Sequence, residues 1–155
     1  PSQADLIRKR LMSVHMCLFA SRDYLASRGT PETPEDLHRH RLICQNPRSA
    51  QVGAGATLVN ELMTHDIPSL LTVNNYFGVL QGVLQNLGIG VLPDYLTHDF
   101  PDLVRVLPEV HSGEVPVFLA YPEELRQSKR IAAFREFVQD EIISYRKKIR
   151  EQAES

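Results

Sequence analysis

At 155 residues the chain is long enough to bury one proper core, and its 43% hydrophobic content without low-complexity tracts is that of a globular domain. A net charge of −2 argues against a surface built to hold nucleic-acid phosphates, which needs clustered Lys and Arg. No apolar stretch approaches the ~20 residues of a membrane-spanning helix, and the opening Pro1-Ser2-Gln3-Ala4-Asp5 lacks the apolar centre of a secretory signal.

Residues 1–10 are charged and show no strong period. Residues 12–20 form a predicted buried strand around Val14, Cys17, Leu18 and Phe19. Ser21 follows as the cap of a short helix over 22–27, because its hydroxyl can accept from the free amides of the next turn; Gly29 is its stop. Thr33-Pro34-Glu35-Asp36 repeats the start signal, with Pro at the first helical position and acids in the first turn; that helix ends near His40. Residues 41–45 make a short strand. The stretch 46–55, with Asn46-Pro47 and two glycines, is a predicted loop, and 56–62 a strand.

Residues 68–73 form the next strand. Asn74 or Asn75 caps the helix behind it, whose apolar positions Phe77, Leu80, Val83, Leu84 and Leu87 fit a helical period; Gly88 ends it. Residues 89–92 are a fully apolar strand closed by Pro93, and 94–99 a turn or two of helix. Strands over 103–107 and 115–121 precede a long helix from Ser128 to about Glu151. Along it Ile131, Phe134, Val138, Ile142, Tyr145 and Ile149 recur at spacings of three and four, giving one apolar stripe. This alternation predicts an α/β domain with a largely parallel, twisted sheet.

The sharpest chemical signal is a pair of helix starts, one at Ser21 and one at Asn74. Beyond the carboxyl ends of strands in an α/β sheet, free helix amides and the positive dipole end suit a small anion. Ser21, Arg22, Thr72, Asn74 and Asn75 are therefore the candidate ligand-binding residues. Simple capping without a ligand explains the same residues.

Catalytic and metal patterns are weak. The six histidines are scattered, and the i,i+2 step of His38 and His40 places their rings on different helix faces. Asp94 with His98 reads as a surface pair. Gly53-Ala54-Gly55-Ala56 lacks the helix and downstream acid of a dinucleotide fingerprint, and no serine has the flanking glycines of a nucleophile elbow. Neither a cofactor nor a metal site is indicated. Cys17 and Cys44 each lie in an apolar run and read as buried, reduced thiols.

Several ordered pieces together carry a resemblance. They are Ala20-Ser21-Arg22-Asp23-Tyr24-Leu25 with Gly29-Thr30-Pro31 and Glu35-Asp36-Leu37-His38-Arg39-His40; Thr72-Val73-Asn74-Asn75; Asn86-Leu87-Gly88-Ile89-Gly90-Val91-Leu92-Pro93; and Val117-Phe118-Leu119-Ala120-Tyr121-Pro122. In this order they resemble the effector-binding half of LysR-type transcriptional regulators. The resemblance implies a periplasmic-binding-protein-like (type 2) effector domain, mainly its second subdomain plus the C-terminal helix. Residues 1–16 would be a charged lead-in and first crossover strand, 17–116 the second subdomain, 117–127 the second crossover, and 128–155 an amphipathic helix that normally packs on the first subdomain. It further implies a small effector, a carboxylate by the helix-start argument, held between two subdomains. It implies a cytoplasmic bacterial protein that is not an enzyme and contacts DNA only through upstream sequence that this chain lacks. With its covering subdomain missing, helix 128–150 is expected to build a homo-oligomer. A free-standing solute-binding protein of the same fold, and an oligomerisation module without ligand, are the alternatives.

Overall fold

Strand-to-helix junctions organise the protein. In the computed structural model, which describes residues 5–46, 57–58, 61–62 and 69–153, the chain divides into two compact units, Pro1–Ser13 with Pro116–Ser155 and Val14–Val115.

The larger unit is built on a five-stranded sheet. Its strands are β2 (Met16–Ser21), β3 (Leu42–Gln45), β4 (Ser69–Val73), β5 (Ile89–Pro93) and β6 (Leu103–His111), in the order β4-β3-β5-β2-β6. All six residues of β2 are buried. The strand is apolar throughout because both its faces are covered. Met16, Leu18 and Ala20 join one core cluster with Tyr24, Leu37, Leu58 and Leu62, while Cys17 and Phe19 join a second with Val79, Leu80 and Val83. The alternation of a strand thus assigns neighbouring residues to opposite layers. Ile43 and Leu92 point to the second cluster, and Leu42, Cys44, Ile89 and Val91 to the first.

The first layer holds α1 (Arg22–Arg28) and a 3-10 turn over Pro34–Arg39. Gly29 sits at φ +84°, where its missing Cβ removes the strain, and its amide bonds back to the Leu25 carbonyl. The second layer holds α2 (Tyr76–Leu84). It lies directly on β5: a Cβ on Gly90 would stand 2.6 Å from Val79 Cγ1 and 2.8 Å from Val83 Cγ2. A 3-10 turn over Asp94–His98 follows β5.

Several expectations change here. The sheet is mixed: β3 runs parallel to β4 and β5, but β2 runs antiparallel to both β5 and β6. Apolar content reports burial on both faces and carries no strand direction. The expected single strand over 12–20 is two, β1 (Leu6–Val14) and β2, parted at His15. β1 begins within the supposedly aperiodic charged stretch, and its Arg8, Lys9 and Arg10 are exposed. The expected strand over 56–62 fails: Thr57, Leu58, Glu61 and Leu62 are helical. Leu58 and Leu62, both buried, stand one helical turn apart. The predicted loop over 46–55, apart from Asn46, and the Gly53–Ala56 run lie outside the described residues. On α2, Val79 is buried while Phe77 is 68% exposed. The helix closes at Gln85 and Asn86, and Asn86 takes the left-handed turn at φ +62°, not Gly88. Gly88 serves another end: a Cβ there would meet the Arg41 carbonyl oxygen at 2.3 Å.

The smaller unit pairs β1 with β7 (Val115–Pro122) in a two-stranded sheet and continues into α3 (Lys129–Ala153).

Candidate functional site

Each helix start is shaped by its cap. Ser21 ends β2 in extended conformation, and its Oγ accepts from the Tyr24 amide at 3.2 Å, as the sequence predicts for an N-cap. The same hydroxyl donates to Asn86 Oδ1 at 2.5 Å, and the residue is buried. The Arg22 amide donates to the Asp102 carbonyl at 3.1 Å, and its guanidinium Nη2 to the Pro101 carbonyl at 3.3 Å. This helix start is therefore engaged with the protein itself.

The second start is exposed. Asn75 caps α2, its Oδ1 accepting from the Gly78 amide at 2.8 Å. Thr72, Asn74 and Asn75 are all exposed. Asn74 Oδ1 accepts from Asn46 Nδ2 at 3.4 Å, and the Asn46 amide donates to the Val73 carbonyl at 2.7 Å, adding a rung beyond the β3–β4 ladder. Thr72, Asn74, Asn75 and Asn46 thus gather at the carboxyl ends of β3 and β4. Asn46 was not singled out by the sequence, where Asn46-Pro47 reads only as a turn.

Strand direction separates the two starts. Leu42 pairs with both Ser69 and Ile89, so β3, β4 and β5 begin together, and Gln45 and Val73 end together. β2 runs the other way, with Met16 opposite Pro93 and Phe19 opposite Gly90. Ser21 and Arg22 therefore lie at the edge where the parallel strands begin, and Thr72, Asn74 and Asn75 at the edge where they end. The expected convergence of the two helix starts on one ligand does not occur, because it required β2 to be parallel.

Several titratable groups have settled structural surroundings. His40 is buried, with Nδ1 3.3 Å from the Tyr24 hydroxyl, which in turn accepts from the Arg41 amide at 3.1 Å. Burial holds its imidazole below the ordinary value; Asp36 pulls the other way, and Arg28 and Arg39 add to the depression. Asp36 accepts from the Thr33 and Glu32 amides, which hold its carboxyl low. His38 Nδ1 meets the Glu35 carbonyl. Asp94, expected beside His98, has its Oδ2 3.3 Å from His15 Nδ1; the His98 side chain and His65 lie outside the described residues. Cys17 and Cys44 are buried and unbridged, in different core clusters, and burial pushes the Cys17 thiol up. Among the described residues no group of three or more His, Cys, Asp or Glu side chains is placed to hold a metal, and no helix is long and apolar enough to cross a membrane.

Comparison with known proteins bears on this arrangement. An uncharacterized HTH-type transcriptional regulator of Haemophilus influenzae is 25% identical over 122 residues, covering 77% of this chain and 42% of that protein. The uncharacterized HTH-type transcriptional regulator YhjC of Escherichia coli is 27% identical over 138 residues, covering 86% and 46%. The chain thus spans less than half the length of these curated relatives. The regulatory domain of CrgA, a LysR-type transcriptional regulator from Neisseria meningitidis, matches with a TM-score of 0.71 at 22% identity, over 91% of this chain and 71% of that one. The regulatory domain of Synechocystis PCC6803 CcmR, solved in complex with 2-PG, matches with a TM-score of 0.62 at 14% identity, over 90% and 68%. These likenesses show a shared fold. A family model described as the LysR substrate binding domain matches residues 1–142. The chain belongs to the LysR substrate-binding domain family and has the periplasmic-binding-protein-like type 2 fold of LysR regulatory domains.

Proposed function

We propose that the chain is the ligand-sensing part of a bacterial LysR-type transcriptional regulator, and that it takes a small carboxylate at the carboxyl ends of β3 and β4. The family match over residues 1–142 carries the reading. Support for the site comes from Thr72, Asn74 and Asn75, exposed together at the N-terminus of α2, where helix amides and dipole favour an anion. Open α/β sheets bind ligands beyond the carboxyl ends of their strands. The solved complex of CcmR with 2-PG is a neighbour of this fold that holds a ligand. Ser21 and Arg22, expected as ligand residues, are assigned instead to holding α1 and the turn after Leu84. Sensing requires the ligand to bind one conformation more tightly than another. The role is binding and not catalysis, in the bacterial cytoplasm. Contact with DNA is assigned to the part of the relatives' length that this chain does not span, and self-association to α3.

The test is thermal-shift and calorimetric screening against small carboxylates and aromatic acids. Asn74→Asp is expected to weaken the best binder by about tenfold or more through like-charge repulsion, and Asn74→Ala by less. Equal affinity in all three proteins removes this edge as the site.

A further inference from the structure

The larger unit is bounded by Val14 and Val115, so the chain enters it just before β2 and leaves it just after β6. Between Cys17 and Leu18 the pairing partner on β6 jumps from His111 to Val106, so residues 107–110 bulge out, with Leu107 at φ +47°. Bulges re-aim the side chains next to them. Here Ser112, just past the end of β6, comes to lie beside Met16, the first residue of β2.

Ser112 is buried, although His111 and Gly113 on either side of it are exposed. Its amide donates to the Met16 carbonyl at 2.9 Å. In a regular antiparallel rung the Met16 amide would return the bond to the Ser112 carbonyl. That carbonyl lies instead 2.8 Å from His111 Nδ1, and the Met16 amide donates to Ser112 Oγ at 2.9 Å. The same hydroxyl donates to the Gly113 carbonyl at 2.7 Å. One side chain therefore stands in a relay from the incoming chain to the outgoing one, from the Met16 amide through Oγ to the Gly113 carbonyl. On the β5 side, the Asp94 amide holds the His15 carbonyl at 2.9 Å.

We propose that the Ser112 hydroxyl is a clasp that joins the two chain crossings of the larger unit, so that they shift together and not one at a time. Closing off a strand end accounts for half of the geometry only. It requires an acceptor for the Met16 amide, but it does not require the hydroxyl proton to go to the outgoing chain. Because the hydroxyl accepts from one crossing and donates to the other, parting them breaks a bond at a buried oxygen. Met16 stands two residues inside one end of the unit, and Gly113 two inside the other. With sensing as proposed above, a displacement begun among β3, β4 and α2 reaches both crossings at once. That use rests on the proposed function, whereas the clasp itself is read without any ligand.

The experiment is NMR on the 155-residue chain without ligand, at a single pH. Hydrogen exchange reads protection of the Met16 and Ser112 amides relative to Leu18 in the core of β2, so that a change in global stability cancels. Amide relaxation reads the order parameters of Gly113 and Glu114 on the outgoing side. In Ser112→Ala the Met16 amide is expected to lose about tenfold in relative protection, and the order parameters of Gly113 and Glu114 to fall with it. Ser112→Thr keeps the hydroxyl and is expected to keep both. Ser112→Cys, whose thiol bonds weakly, gives the same two losses should the alanine variant fail to fold. Unchanged Met16 protection without the hydroxyl overturns the proposal. So does a loss confined to Met16 and Ser112 while Gly113 and Glu114 stay as ordered as in the parent chain, because the hydroxyl then serves only the strand end.

Discussion

His40 shows how one side chain ties burial to solution conditions. Its ring is packed against Tyr24, with centroids 5.8 Å apart, and burial depresses its proton affinity. Well above the unfolded value, about 6.5, both folded and unfolded states are neutral and its contribution to stability is fully present. As pH falls through that value the unfolded chain protonates first, so stability is lost on the acid side. The urea midpoint is therefore expected to drop between about pH 7.5 and pH 5.5, and His40→Gln to shrink that drop. A drop of unchanged size in the variant would assign it to other groups. At this scale the caps were legible: Ser21 and Asn75 accept from amides three residues on, as short polar side chains before a helix do. The partners of those residues were not. Asn86, which both receives the Ser21 hydroxyl and turns α2 back toward β5, is distant in sequence from Ser21 and carries no local signal for that bond.

Among the elements, α2 and β5 pack closely. Gly90 lets Val79 and Val83 approach the strand backbone, and Gly82 does the same for Ile43, whose Cδ1 would lie 2.9 Å from an added Cβ. Gly90→Ala is expected to destabilise by about 1–3 kcal/mol, because β-branched valines on a helix have little rotamer freedom to yield. Gly113→Ala, with nothing within 4 Å of its added Cβ, is the matched control and should change stability little. Chemical denaturation of the two variants decides between them. β2, β3, β4 and β5 were readable because each is a short apolar run bounded by polar or turn residues. β1 was not, because pairing in a two-stranded sheet leaves its Arg8, Lys9 and Arg10 exposed and gives it the composition of a loop. Strand direction was beyond the sequence as well, since it depends on which neighbour each strand pairs with, and that error set Ser21 and Asn74 on the same edge.

At the scale of the whole molecule, α3 is thinly covered along its described side chains. From 129 to 147 none of its residues is buried, and Phe134, Phe137 and Ile143 are 51%, 61% and 65% exposed. The stripe read from the sequence is half right: Ile131, Val138, Ile142 and Tyr145 are half-buried, Phe134 is not, and the Ile149 side chain lies outside the described residues. Large apolar side chains at about 1.5–3 kcal/mol each favour association, and the same face on a second copy is self-complementary about a two-fold axis. Sedimentation at micromolar concentration is expected to show a dimer or larger species, and Phe134→Asp with Ile142→Asp to return it to monomer with its circular dichroism intact. A soluble monomer of the parent chain would rule out α3 as the association surface.

The placement of β2 has a consequence for how the chain acquires its structure. It is buried along its whole length, it stands between β5 and β6, and it precedes both by most of the unit's length. During N-to-C synthesis, Met16 to Ser21 emerges with no partner until residues 89–111 follow. Contacts of such long sequence separation close slowly. For that interval an apolar strand that ends up wholly buried is an unpaired edge, and the stage most exposed to misassociation is the one before β5 and β6 arrive.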